Sequence, residues 1–139
     1  MFKNQRGQAT VEFLIVSLLL FAILFGAVDY WAAMVRIQQA EHIKNYYLDR
    51  VRLEGCLTDT DKDDLQTKIK KLGFVVTKIE APATPVKRTL DFSNGYPDVY
   101  LNIETEFKKN PFMLGAFLGK ENNLKPKFYG KVLSEYAGP

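Results

Sequence analysis

The chain has a single cysteine, Cys56, and a single histidine, His42. One cysteine excludes an intrachain disulfide framework, and its plain reading is a partly buried small side chain. His42 has no second histidine and no cysteine near it in sequence to share a metal, so no metal site is expected. The same poverty leaves no nucleophile–base pair, and no phosphate-binding glycine loop occurs, so neither an enzyme nor a cofactor is expected. Glu104 and Glu106 share one face of a strand pattern, and solvated strand charges account for them. Charge of one sign is also lacking: the net charge is +3, with charged residues at 25%. Scattered Lys and Arg make no phosphate track, so no specific nucleic-acid partner is expected. Proline is missing from Gln8 to Glu54, and charge is missing from Phe13 to Val28.

The uncharged run is the dominant feature that remains. As a helix it spans roughly 24 Å at about 1.5 Å per residue. Extension through Tyr30–Val35, interrupted only by Asp29, carries it past the roughly 20 residues that cross a bilayer. Lys3 and Arg6 precede it, which places the N-terminus in the cytoplasm by the positive-inside rule. Tyr30 and Trp31 then fall at an aromatic belt on the far side, and everything from Arg36 onward is exported. A cleavable secretory signal needs a small-x-small site after the apolar core. Phe25-Gly26-Ala27 and Tyr30-Trp31-Ala32 both fail that requirement. Glu12, at the mouth of the run, is the residue out of place, because a carboxylate in lipid costs several kcal/mol.

Downstream, Ile37, Ala40, Ile43, Tyr47 and Val51 recur at steps of three or four, the stripe of an amphipathic helix. With no proline to break it and Gly55 as a stop, one helix of roughly 45 residues is expected from Gln8 to Glu54, about 70 Å long. Its first half is apolar all round, and its second half must cover something. Thr58 or Thr60 can cap a short second helix through Leu65, Ile69 and Leu72, with acids first, Lys68, Lys70 and Lys71 last, and Gly73 as its end. Asp59-x-Asp61-x-Asp63 superficially resembles a calcium loop, but Asp64 and Lys70 stand where that loop needs glycine and glutamate. Strands are expected at Phe74–Ile79, at Val99–Glu104 toward Phe107, and at Lys127–Glu135, with a further one at Thr89–Phe92. Pro111–Gly119 is apolar but too short to cross a membrane. It reads as a loop closing the base of the sheet, or as a contact patch for a neighbouring subunit or the membrane surface. The expected fold class is α+β: a long N-terminal hydrophobic α-helix, a small antiparallel β-sheet head and one short helix.

The order Lys3, Arg6, Gly7, Gln8-Ala9-Thr10-Val11, Glu12, Phe13, followed by a long apolar helix, resembles the class III signal of type IV pilins and pseudopilins. Arg6-Gly7-Gln8-Ala9-Thr10-Val11-Glu12-Phe13 looks particularly like the TadE-like pseudopilins of tight-adherence systems. The strand, Pro111–Gly119 and last-strand order also looks like the TadE-like tail. Related pilin-like proteins occur beside conjugation or secretion machinery in Gram-positive bacteria.

The resemblance implies a leader, residues 1–7, removed after Gly7 by a membrane aspartic prepilin peptidase to leave Gln8 as N-terminus. Gln8 departs from the phenylalanine common in the best-known pilins, and its N-methylation is left open. It implies that Glu12 pairs with the N-terminal amine on Gln8 of an adjacent subunit. Cleavage would create that partner and remove the leader charges Lys3 and Arg6. Residues 8–35 would form the membrane-spanning, later filament-core helix through Phe13, Leu14, Val16, Leu18, Leu19, Phe21, Leu24 and Phe25, with Gly26 a point of close helix approach. Residues 36–55 would be the exported amphipathic half, and 56–139 the head. The implied function is a structural pilin or pseudopilin subunit, in the cytoplasmic membrane before assembly and in an extracellular filament afterwards. Its implied partners are other subunits, the prepilin peptidase, the pilus assembly platform and the membrane. An uncleaved single-pass membrane protein with an exported, partner-binding head is the alternative. Whether the subunit is major or minor, and whether the filament serves adhesion, conjugation, DNA uptake, motility or secretion, is open.

Overall fold

The computed structural model describes residues 3–93, 95–113, 115, 119 and 124–139, with backbone alone for 3–6. Five elements follow one another: α1 (Lys3–Glu54), α2 (Asp59–Lys71), β1 (Phe74–Glu80), β2 (Asp98–Phe107) and β3 (Lys127–Leu133). The fold is α+β, as the sequence pattern predicts. The helix starts at Lys3, earlier than the expected Gln8, because nothing in the leader opposes it except the weak helix former Gly7. The chain divides into two compact units: residues 1–34 with 110–122, and residues 35–109 with 123–139.

In the second unit the three strands form an antiparallel sheet in the order β1-β2-β3. Alternation along β2 buries Val99, Leu101, Ile103, Thr105 and Phe107 and turns Tyr100, Asn102, Glu104 and Glu106 outward. Glu104 pairs with Lys127 at 2.9 Å and Glu106 with Lys125 at 2.7 Å, so these two acids are surface strand charges. On the inner face Phe74 packs on Phe107 with ring centroids 4.6 Å apart and meets Phe128 edge-on at 6.1 Å. Leu65 and Ile69 of α2 are fully buried in the same core. Thr58 caps α2 by accepting from the Asp61 N–H at 3.2 Å, and Gly73, at φ +89°, takes the chain out of it.

The stripe of α1 that covers the core is Ala40, Lys44, Tyr47, Leu48 and Val51, all buried, with Ile37 and Ile43 at its half-buried margin. Leu48 sits directly over Gly130 of β3, where any side chain would collide with it. The end of α1 is sealed by other parts of the chain: the Glu135 N–H donates to the Arg52 carbonyl at 2.8 Å, and Val86 N–H to the Gly55 carbonyl at 3.0 Å. Gly55, at φ +77°, is the stop.

Thr89–Phe92 is not a strand. The Thr89 hydroxyl accepts from the Asp91 N–H, and Asp91 accepts from the Ser93 N–H, both at 3.0 Å. These side chains occupy the local backbone in turns that compete with a ladder, and Leu90 is left 84% exposed. Residues 110–122, read from sequence as part of the head, group with the apolar helix segment. Of Pro111–Gly119, Leu114 and residues 116–118 lie outside the described residues.

Candidate functional site

Leucine, isoleucine, valine and phenylalanine without proline carry α1 through its first half, and the resulting surface is apolar on every side. Phe13, Leu14, Val16, Leu18, Leu19, Phe21, Leu24 and Phe25 are all more than half exposed. Leaving these eight in water forgoes on the order of 10–20 kcal/mol, comparable to a whole domain's net stability. Such a helix requires lipid or other helices around it, and it is long and apolar enough to cross a membrane. Its backbone groups are satisfied within the helix, the condition for entering lipid.

Two carboxylates bracket the uncharged run. Glu12 stands one helical turn beyond Gln8, whose side-chain amide donates to Glu12 Oε1 at 3.3 Å. Positions 8 and 12 therefore share one face, and the carboxylate keeps acceptor capacity toward other groups. Gly7 precedes them on an open stretch of helix, with no atom within 4 Å of where a Cβ would be. The side chains of Lys3 and Arg6 lie outside the described residues. Asp29 closes the run at its other end. Its Oδ2 accepts from the backbone N–H of Met113 at 2.6 Å, 84 residues away in sequence. In the residue order Asp29 is only an interruption of the apolar run, although a carboxylate in such a stretch is itself a signal.

A second constellation fastens α2 to α1. The Tyr47 hydroxyl donates to Asp64, while Lys68 Nζ lies 3.0 Å from that hydroxyl and 2.9 Å from Asp64. Lys68 also lies over the Tyr46 and Tyr47 rings, at 5.4 and 5.2 Å from their centroids. Burial, reinforced by the Asp64 contact, pushes the Tyr47 hydroxyl pKa up. The Tyr47 hydroxyl and then Lys68 hold Asp64 below the usual carboxylate range, and Tyr47 and Asp64 together raise Lys68. Nearby, Arg50 bonds the nearly buried Asp61 at 3.1 Å. Lys44, on the buried stripe, reaches Glu41 at 2.8 Å and the Tyr129 carbonyl at 3.2 Å. These contacts have the character of a fixed joint, with each charge engaged by a partner. Among the described residues no three His, Cys, Asp or Glu side chains gather into a metal-binding group.

The described residues form an α+β fold whose long N-terminal helix is long and apolar enough to cross a membrane. Residues 7–42 match the family model described as TadE-like protein, which covers about a quarter of the chain. The matched stretch contains Gly7, Gln8, Glu12 and the whole uncharged run. No curated protein and no solved structure matches the chain. The match and the apolar helix support a membrane protein related to the Tad pilus.

Proposed function

We propose that the chain is a structural, non-catalytic pilin or pseudopilin subunit of a Tad-like filament, cleaved after Gly7 and polymerised through α1. The observation that carries this reading is the Gly7–Gln8–Glu12 arrangement at the head of an all-round exposed apolar helix, within the stretch that matches the TadE-like model. A prepilin peptidase would remove residues 1–7, and residues 8–35 would pass from membrane span to filament core. Residues 36–55 and the head would lie on the exported side. The partners are further subunits, the peptidase and the pilus assembly platform.

The chemistry is economical. An unpaired carboxylate in a helix bundle is strongly unfavourable, and an ammonium beside it removes most of that cost. Cleavage creates such an ammonium on Gln8, and a neighbouring subunit displaced along the filament would bring its own to Glu12. The leader cations that hold the chain at the cytoplasmic face leave in the same step. Exposed aliphatic groups all round α1 suit the exchange of lipid for other helices. The test is the intact mass of the chain co-expressed with a prepilin peptidase. Loss of Met1–Gly7 is expected. An unchanged mass beside an active peptidase would overturn the reading and leave an uncleaved single-pass protein.

A further inference from the structure

We infer that the segment Asn110–Met113 is an interfacial membrane contact, held by Asp29 against the exported end of the span so that Phe112 and Met113 meet the lipid headgroup layer. The inference rests on the membrane-anchored reading of α1. Three observations converge on it. Residues 110–122 group with residues 1–34 as one compact unit, so the segment belongs with the apolar helix. Its consecutive backbone donors are both satisfied by side-chain oxygens: Phe112 N–H by Asn110 Oδ1 at 3.0 Å and Met113 N–H by Asp29 Oδ2 at 2.6 Å. Backbone whose donors are satisfied in this way can enter a region poor in water. The Met113 side chain is nevertheless 71% exposed, and Tyr30 and Trp31, next to Asp29, are exposed as well.

Position along α1 selects the occupant. The uncharged run between Glu12 and Asp29 is about 24 Å long, somewhat under the roughly 30 Å hydrocarbon thickness of a bilayer. With Glu12 at one boundary, Asp29 lies within about one helical turn of the other, where Tyr30 and Trp31 form the aromatic level. A carboxylate there is offset by the N–H it accepts, and the N–H by the carboxylate. An apolar tip hydrogen-bonded to the end of a membrane span faces lipid.

The test uses the full chain in phosphatidylcholine vesicles, with Cys56→Ser as background and one new cysteine at a time carrying an environment-sensitive dye. Met113→Cys is the probe, Leu20→Cys marks the span and Tyr129→Cys the outward sheet face. Lipids with spin labels at shallow or deep acyl positions quench the dyes. The Met113 dye should be quenched more by the shallow label than by the deep one, Leu20 more by the deep one, and Tyr129 by neither. Asp29→Ala should bring the Met113 signal close to the Tyr129 level, and Asp29→Asn, which keeps the acceptor, should retain it. An unquenched Met113 dye beside a quenched Leu20 dye would overturn the inference and leave the anchor standing. An unquenched Leu20 dye would overturn both. Quenching unchanged by Asp29→Ala, or Met113 cross-linking to a second copy in place of quenching, would also overturn it.

Discussion

Gly130 of β3 lies directly beneath Leu48 of α1: a Cβ at position 130 would stand 2.5 Å from Leu48 Cδ2. Only glycine lets helix and sheet approach this closely, so Gly130→Ala should cost about 1–3 kcal/mol through overpacking. Leu48→Ala should cost about 2–5 kcal/mol, and the double variant less than the sum, because the smaller side chain makes room. Denaturant unfolding of the full chain in detergent, followed through the head's aromatic signals, measures the cycle. Strict additivity would deny the contact.

Tyr47, Asp64 and Lys68 predict a pH profile for the head. Asp64 is held below its ordinary value, so its contribution is present above about pH 4 and fades as pH falls through the lowered value. Lys68 and Tyr47 are raised, so theirs are full below about pH 10 and fade as pH rises through the raised values. Tyr47→Phe should cost about 1 kcal/mol near neutrality and flatten both limbs. Unfolding midpoints across pH check it; Asp64→Asn should abolish the acid limb and shrink the alkaline one, because Asp64 helps to raise both Lys68 and Tyr47.

Gly55 and Gly7 should separate folding from processing. A Cβ on Gly55 would lie 2.8 Å from the Val86 nitrogen and 2.9 Å from its oxygen, at a φ of +77°. Gly55→Ala should therefore lower head stability by about 1–3 kcal/mol. Gly7 has nothing within 4 Å of its would-be Cβ, so Gly7→Ala should leave unfolding unchanged. On the proposed function it should abolish the mass loss produced by the peptidase.

Glu12 variants should distinguish charge from hydrogen bonding. Glu12→Gln keeps an acceptor for the Gln8 amide that lies 3.3 Å away but loses the charge, and Glu12→Ala loses both. Both should still insert in membranes and both should fail in filament incorporation, measured by fractionation and immunodetection. Normal incorporation of Glu12→Gln would show that no ammonium is needed there.

Much of this architecture is legible in the residue order because its causes are local. The proline-free aliphatic run gives α1, Thr58 caps α2, and alternation along β2 sets its two faces. What escapes has non-local causes. Lys44 reads as a surface charge, yet it is buried, because Glu41 and the Tyr129 carbonyl meet its ammonium. Asp29 reads as a blemish in the span until Met113 arrives from far along the chain. Thr89–Phe92 has strand-like residues, but Thr89 and Asp91 spend their oxygens on turns. Of the site, Gly7, Gln8 and Glu12 were legible because a short motif carries them, and the Asp29 end was not.

N-terminal sequencing of the chain recovered from filaments sheared off the producing cells tests the central claim most directly. The account predicts that the chain is present in that fraction and begins at Gln8. Filaments that lack the chain, while it stays in the membrane fraction with Met1 intact, would contradict it.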